Sequence, residues 1–332
     1  MTNPYDATGA ERAIFSMTNV DDIRAVLVRY ARKHLGADVA DVMFRAGRVD
    51  AVWAVRLTDD RAVLIKAHRR PVDLTERRAT VAAQRTLADA GFPAPRPIAD
   101  TMEFDGLVLT TETLVVTGSA GDARVPAVRR ALARGLAVHV AILGERPEIV
   151  ASAGLGPAWC RYQEGPWPPA HDPFFDFRET PPELEWLDAY AGEAASRLQH
   201  GDQRPRRAGH ADWYAGNARF VGADLVGTFD WDLVAGPEPH IAGFSAAAYT
   251  DGGSGVQDLP SPDNVRDFLR DYDEARALPF TGAQQEQAAA ATAWTLAYNA
   301  RCQASFLDGD PEPGTALALL TEHADEYLDL RW

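Results

Sequence analysis

The chain carries the segment His210-Ala211-Asp212-Trp213-Tyr214-Ala215-Gly216-Asn217 and, thirteen residues after Asn217, the segment Asp230-Trp231-Asp232 at the end of an apolar run. An aspartate, an asparagine five residues later and a second aspartate can together orient a hydroxyl group and hold Mg²⁺ against phosphate groups. The spacing therefore predicts a metal-assisted site built on Asp212, Asn217 and Asp230.

A second chemical feature is Lys66, which lies inside the apolar, strand-like run Val63-Leu64-Ile65-Lys66-Ala67. The chain has 33 basic residues, but only Lys33 and Lys66 are lysines, so composition does not explain a lysine in a strand. An amine on a strand can reach the phosphates of a nucleotide. The alternative is a solubilising charge on an edge strand.

The order of these features, a strand lysine, His-x-Asp-x₄-Asn and then Asp-Trp, resembles the aminoglycoside phosphotransferase and choline kinase family, which shares the protein-kinase fold. The resemblance implies an α+β, two-lobed chain. Residues 1–116 would form a small nucleotide-binding lobe around a mixed β-sheet. Residues 117–332 would form a larger, mainly helical lobe with the catalytic and acceptor-binding groups.

The resemblance also assigns roles in the second lobe. Asp212 is expected to be the catalytic base, and His210 is expected to hold the catalytic loop by hydrogen bonds. Asn217 and Asp230 would bind Mg²⁺. Two further residues are predicted to contact the acceptor. Asp232 would share a face with Asp230 on an extended segment, where it could also touch the metal, and Trp213 lies beside the base.

In the first lobe, the family pairs the strand lysine with a helix glutamate. The usual register falls on Thr80 of the helix predicted from Asp73 to Ala90, so Glu76, one turn earlier, is the predicted substitute. A glycine-containing segment, Phe44 to Asp50, occupies the position of the family's phosphate loop, although a plain turn is an equal alternative.

The segment from Leu107 to Val116 resembles the strand and hinge that join the lobes. Backbone groups from Glu112 to Leu114 are expected to meet the edge of the adenine base.

Hydrophobic periodicity predicts further elements: helices over 21–35, 125–143, 183–198, 265–277 and 284–307, a helical stretch over 241–250, and strands over 51–57 and 61–67. His139, on the apolar stripe of the helix predicted over 125–143, is interpreted as a core histidine rather than a ligand. The segment from Pro157 to Pro182 is rich in proline and aromatic residues. It either lines an acceptor pocket or packs its rings onto the lobe.

The net charge is −15, and the excess of acidic residues is confined to one part of the chain: residues 1–116 carry 16 basic and 16 acidic side chains, and the remainder carries 17 and 32. Such a field disfavours nucleic acid and attracts a cationic small molecule, although it could also serve solubility alone. The absence of a long apolar run argues against a membrane span and for a cytoplasmic protein. Cys160 and Cys302 are too few for a disulfide framework or a cysteine-based zinc site.

These features predict a Mg²⁺-dependent kinase that transfers the γ-phosphate of ATP or GTP to a hydroxyl of a small polar acceptor, with an aminoglycoside or related amino sugar as one option. Two alternatives stay open. One is a catalytically silent, nucleotide-binding sensor of the same fold. The other is a metal-dependent hydrolase built on His210, Asp212, Asp230 and His240.

Overall fold

The computed structural model describes residues 6–165, 167–200, 205–253, 257–306 and 309–332. The chain forms two compact units, one up to Val116 and one from Thr117 onward. In the first unit the elements are α1 (Gly9–Phe15), α2 (Val20–Tyr30, continued by a π-helical turn, Ala31–Leu35), β1 (Val39–Ala46), β2 (Ala51–Leu57), β3 (Ala62–His68), α3 (Leu74–Asp89), β4 (Pro97–Phe104) and β5 (Leu107–Thr113).

The first unit is built on a five-stranded antiparallel sheet with the order β1-β2-β3-β5-β4. One face packs Trp53, Ile65 and Leu109 into a core with Ile23 and Leu27 of α2. Because β3 is the central strand, the interpretation of its lysine as an edge-strand charge is wrong. The opposite face of the sheet carries Lys66 and His68 of β3 and Thr110 and Glu112 of β5.

In the second unit the elements are α4 (Pro126–Gly144), α5 (Pro147–Ser152), α6 (Glu185–Gln199), β6 (Arg206–His210), β7 (Ala218–Val221), β8 (Asp224–Thr228), β9 (Leu233–Pro237), α7 (Glu238–Ala246), α8 (Pro262–Glu274), α9 (Gly282–Ala304) and α10 (Ala316–Leu328). Most of α9 is buried, and it packs against α6, α7 and α10. Two small antiparallel sheets, β6 with β9 and β7 with β8, lie in this largely helical unit.

The predicted helices and strands are confirmed with small shifts at their ends. The face of α2 that carries Ile23, Val26 and Tyr30 is buried, as the helical spacing of these apolar residues predicts. The helical stretch expected over 241–250 begins earlier and ends earlier, because α7 starts at Glu238 with Pro239 in its first turn, where proline needs no partner for its missing N–H. The predicted end of α9 at Leu307 lies outside the described residues.

The aromatic segment that precedes α6 packs onto α9. Trp167 stacks on Trp294 with ring centroids 5.8 Å apart, and Phe177 lies 5.4 Å from Tyr298. These rings surround a small cluster of buried residues that includes Cys302. The packing interpretation of this segment is therefore confirmed. In the part of the chain that the structure describes, no helix is both long enough and apolar enough to span a lipid bilayer.

Candidate active site

Two pairs of strands bring the predicted catalytic segments together. His210, the last residue of β6, pairs with Leu233 of β9, and the next N–H, that of Ala211, is donated to the carbonyl oxygen of Asp232 at 2.8 Å. The β7–β8 hairpin closes the other side, where the N–H of Phe229 is donated to the carbonyl oxygen of Asn217 at 3.0 Å. The loop after β6 and the bend before β9 are thus held side by side.

His210 connects this loop to the bend. Its Nδ1 accepts the N–H of Asp212 at 3.1 Å, so its Nε2 carries the proton and donates to the carbonyl oxygen of Phe229 at 3.3 Å. The ring is buried. With both nitrogens engaged by the main chain, His210 is suited to holding the loop and poorly suited to proton transfer.

Asp212 is fixed by Asn217. The Asn217 amide donates to Oδ2 of Asp212 at 2.8 Å and to its carbonyl oxygen at 3.1 Å. Burial raises the pKa of Asp212 to about 8, and the carboxylates of Asp230, Asp232 and Asp251 add to the rise, against the lowering effect of the Asn217 hydrogen bond. An aspartate with this pKa is a stronger proton acceptor than an ordinary carboxylate.

Asp230 is exposed and adopts a left-handed backbone conformation, with φ of 59°. Aspartate tolerates this region better than most residues, and strained backbone of this kind is concentrated at functional sites. The prediction that residues 230–232 form an extended segment, with Asp230 and Asp232 on one face, is therefore wrong, because the chain bends at Asp230. Both carboxylates nevertheless lie close enough to raise the pKa of Asp212.

The donor set fits a divalent cation. The carboxylates of Asp230, Asp232 and Asp251 raise the pKa of Asp212, so added positive charge near Asp212 is favourable, and the Asn217 amide, bound through its nitrogen, keeps an oxygen to offer. Among the described residues, no group of three or more His, Cys, Asp or Glu side chains could hold a metal ion. Mg²⁺ commonly takes one or two carboxylates and completes its shell with water and substrate phosphates.

The hydrolase alternative does not agree with this geometry. Both nitrogens of His210 are engaged, and Nδ1 of His240, on α7, lies 3.2 Å from the hydroxyl of Tyr162. The two histidines do not join Asp212 and Asp230 in a metal-binding cluster within the described chain. That interpretation is wrong.

Trp213 does not face an acceptor. Its indole is 4% exposed and donates its Nε1–H to the carbonyl oxygen of Leu132 on α4 at 3.1 Å. The ring lies over Gly135, where even a Cβ atom would come within 3.1 Å of the ring. The prediction of Trp213 as a substrate contact is therefore corrected: it anchors the loop to α4.

Trp231 anchors the bend in the same way. Its ring is buried and stacks on His139 of α4 with centroids 5.1 Å apart and planes inclined by 17°. Burial holds the pKa of His139 well below its ordinary value, so the ring is neutral. His139 is a core residue, as its position on the helix predicted. Trp231 points inward, whereas the aspartates on either side of it are less buried: Asp230 is exposed and Asp232 is half-buried.

Two residues near the loop were missed from sequence. Trp159 donates its Nε1–H to the carbonyl oxygen of Ala211 at 3.1 Å, and Trp294 in turn donates to the carbonyl oxygen of Trp159 at 3.0 Å. Asp251 accepts the N–H of Gly216 on its main-chain oxygen at 2.9 Å. No spacing rule signals either contact, because the partners are far apart in the chain.

In the first unit, Lys66 is half-buried on β3, directly opposite Val52 of β2 and Thr110 of β5. Glu76 lies in the first turn of α3. Thr80, at the position where the sequence resemblance predicted a glutamate, donates its hydroxyl hydrogen to the carbonyl oxygen of Glu76 at 3.1 Å. The ion pair expected between Lys66 and Glu76 stays a prediction.

Glu112 is buried, and its Oε2 accepts a hydrogen bond of 2.6 Å from Nε2 of Gln84 on α3. The backbone N–H groups of the two residues after Glu112 are already engaged in hydrogen bonds within the first unit. Thr113 donates its N–H to the carbonyl oxygen of Arg96, and Leu114 donates its N–H to that of Ala62. The Leu114 prediction is corrected to this extent: its N–H is already donated, so a base would have to meet other backbone groups of this segment.

Comparisons with known proteins place the fold. No family model matches the sequence, and a search of curated proteins finds no match. Solved structures do match. An amicoumacin kinase in complex with AMP-PNP, Ca²⁺ and Ami has a TM-score of 0.62 at 12% identity and covers 93% of this chain and 96% of its own.

Two further structures are similar. A macrolide 2'-phosphotransferase from Brachybacterium faecium has a TM-score of 0.53 at 16% identity, covering 87% of this chain and 100% of its own. An ethanolamine kinase from Plasmodium vivax has a TM-score of 0.52 at 12% identity, covering 90% and 87%. At these identities the likeness concerns the fold. The chain thus has the protein-kinase-like, α+β fold of these small-molecule kinases and phosphotransferases, as the sequence motifs predicted.

Proposed function

We propose that the chain is a Mg²⁺-dependent kinase that transfers the γ-phosphate of ATP to a hydroxyl of a small polar acceptor. The observation that carries the proposal is the arrangement of Asp212, whose carboxylate is held by Asn217 and whose N–H is held by His210, with Asp230 and Asp232 nearby. Similar structures are named as kinases or phosphotransferases, one of them in complex with a nucleotide analogue and a divalent cation.

In the proposed reaction the acceptor oxygen forms a bond to the γ-phosphorus as the bond from that phosphorus to the β-phosphate oxygen breaks. The hydroxyl proton passes to the carboxylate of Asp212, and the nucleoside diphosphate departs. His210 and Asn217 hold Asp212 in place for this transfer. Asn217 and Asp230 would hold Mg²⁺, which supplies charge neutralisation of the phosphate oxygens. Lys66 would bind the phosphates from β3.

The acceptor is proposed to be cationic, with amino sugars such as aminoglycosides as the first class to test. The acidic excess of residues 117–332 would attract a polyamine to the unit that carries Asp212. GTP is a second donor to test beside ATP.

The test is Mg²⁺-dependent release of ADP or GDP with a panel of hydroxylated acceptors: aminoglycosides, macrolides, choline, ethanolamine and fructosamines. We expect one class to stimulate release, and we expect Asp212→Asn to abolish it while nucleotide binding persists. Asp224→Asn, at an exposed position on β8, is the matched control. Nucleotide binding without turnover on any acceptor would favour the sensor alternative, and unchanged turnover in Asp212→Asn would refute the role of the base.

A further inference from the structure

Three polar side chains of the first unit, near Lys66, are connected by hydrogen bonds. Nδ1 of His68, at the end of β3, lies 2.6 Å from Oδ2 of Asp50, and its Nε2 lies 2.9 Å from the hydroxyl of Thr110 on β5. The other carboxylate oxygen of Asp50 accepts the N–H of Arg69 at 2.9 Å. His68 is 3% exposed, so these bonds are largely shielded from water.

The protonation states of Asp50 and His68 follow from their surroundings. Burial alone would raise the pKa of Asp50, but the hydrogen bond from His68, the N–H of Arg69 and the charge of Arg77 hold it at about 2. Burial also lowers the pKa of His68, so its ring is neutral. The neutral ring donates from Nδ1 to the Asp50 carboxylate and accepts the Thr110 hydroxyl proton at Nε2. All three side chains are therefore satisfied in a single arrangement.

Asp50 ends the turn that joins β1 to β2, and this turn is closed tightly on it. Gly47 has φ of 105°, and a Cβ atom placed there would lie 2.0 Å from the carbonyl oxygen of Asp50. Only glycine fits such a position. Arg48 and Val49, at the tip, are exposed. The turn thus presents a cationic side chain and is fastened to the sheet through Asp50.

At its other end, this series of hydrogen bonds reaches a residue that is paired with Lys66 in the sheet. Thr110 is directly opposite Lys66 in the β3–β5 register, and His68 is two residues further along β3 on the same face. Asp50, His68 and Thr110 therefore connect the turn from Gly47 to Asp50 with the strand position that carries the only lysine of the sheet.

We propose that Asp50, His68 and Thr110 are positioning residues that fix the Gly47–Asp50 turn relative to Lys66, and that this arrangement sets the affinity for the phosphates of the nucleotide. The inference rests on the proposed function, since it takes Lys66 as a phosphate ligand. Asp50, His68 and Thr110 belong to the first unit, whereas the acceptor is proposed to bind the unit that carries Asp212. Their loss should weaken nucleotide binding and leave acceptor binding unchanged.

The neighbouring threonine on β5 provides a matched control. The hydroxyl of Thr111 lies 2.9 Å from the hydroxyl of Tyr30, on the opposite face of the sheet. Thr110→Val and Thr111→Val are thus the same chemical change on consecutive residues of one strand. Only the first removes the partner of His68.

The experiment measures the Kd of a non-hydrolysable ATP analogue with Mg²⁺ by calorimetry, together with thermal stability and, where turnover is found, KM and kcat. We expect Thr110→Val to weaken nucleotide binding about tenfold, the effect of losing one buried hydrogen bond, with kcat and the acceptor KM unchanged. Thr110→Ser, which keeps the hydroxyl, should restore binding. Thr111→Val should lower stability without changing the nucleotide Kd.

If Thr110→Val does not fold, His68→Asn carries the test, because asparagine can still face Asp50 but lacks the group that faces Thr110. Wild-type nucleotide affinity in the folded variants overturns the inference and leaves the proposed function standing. Equal weakening by Thr110→Val and Thr111→Val also overturns it, since the effect would then be general destabilisation. If the unaltered protein binds no nucleotide, the proposed function itself fails.

Discussion

The side-chain amide of Asn217 donates to two oxygens of Asp212, the carboxylate Oδ2 at 2.8 Å and the main-chain carbonyl at 3.1 Å. One residue thereby fixes both the backbone and the side chain of the candidate base. In the proposed reaction the oxygen of the same amide would bind Mg²⁺. Asn217 would then both orient the base and serve as a neutral metal ligand.

Replacing Asn217 by alanine should lower kcat at least about 100-fold, because the base loses its orientation and the proposed Mg²⁺ ligand is removed. Asn217→Asp separates the two roles, since it keeps an oxygen for the metal but removes the amide donor. We expect Asn217→Asp to bind Mg²⁺ and to turn over slowly. Steady-state kinetics with a Mg²⁺ titration is the measurement, and wild-type turnover in the alanine variant would contradict the assignment.

The raised pKa of Asp212 predicts how stability depends on pH. Its folded-state pKa of about 8 lies above the ordinary value of 3.8. The stability contributed by the bound proton is therefore complete below 3.8 and is lost as the pH rises through 8. In EDTA, we expect Asp212→Asn to gain thermal stability relative to the unaltered protein between about pH 5 and 9.

Mg²⁺ should reverse this difference. Added cation replaces the lost proton, so it should stabilise the unaltered protein more at high pH than at low pH, and should do so less in Asp212→Asn. Tm measured by scanning calorimetry at several pH values, with and without Mg²⁺, is the check. A pH-independent difference between the two proteins would contradict the pKa assigned to Asp212.

Trp159→Phe should lower kcat by up to about tenfold, because it removes the N–H that holds the Ala211 carbonyl while keeping an aromatic ring in place. The nucleotide Kd should not change. Trp167→Phe is the matched control: its indole N–H is donated to Asp188 at 2.7 Å, within the aromatic segment and α6. Equal losses of kcat in the two variants would show that Trp159 acts only through general packing.

Gly47→Ala should distort the turn before β2 and weaken nucleotide binding. Gly36→Ala is its control, since Gly36 also has a positive φ, 72°, but has no atom within 4 Å of an added Cβ. Gly36→Ala should lose about 1 kcal/mol of stability from backbone strain alone, whereas Gly47→Ala should lose more, because its Cβ would also clash with the carbonyl oxygen of Asp50, and only Gly47→Ala should change the nucleotide Kd. Equal Kd values in the two variants would argue against a phosphate-binding role for the turn.

Trp213→Phe should cost about 1–3 kcal/mol of unfolding free energy, because the carbonyl of Leu132 loses its donor and the core loses part of a large ring. The acceptor KM should change little. Urea unfolding and acceptor kinetics give the two readouts. A large rise in acceptor KM with unchanged stability would restore the rejected role of Trp213 as a substrate contact.

The features that could be predicted from the sequence are those that depend on residues close together along the chain. Lys66 could be placed on a strand and α2 could be oriented because period-2 and period-3.6 patterns report directly on burial. The grouping of Asp212, Asn217 and Asp230 followed from a spacing that a single hairpin brings together. The edge strands β1 and β4 and the last helix, α10, were missed.

The parts that sequence did not predict depend on partners distant in the chain. Trp213 is adjacent to the candidate base, yet its side chain points into α4, and adjacency in sequence does not give a side chain's direction. Trp159 reaches Ala211 from 52 residues away. The bend at Asp230 precedes Trp231, whose ring stacks on His139 of α4, and no local pattern records that contact.

The hydrogen bond from Gln84 to Glu112 has a mechanical consequence for the first unit. Both side chains are buried, so turning α3 away from β5 would break this hydrogen bond, at a cost of about 1.5–3 kcal/mol. The helix and the strand should therefore open and close as one cooperative unit. Hydrogen exchange would register this as shared protection of their amides, with both segments becoming labile together in Gln84→Ala.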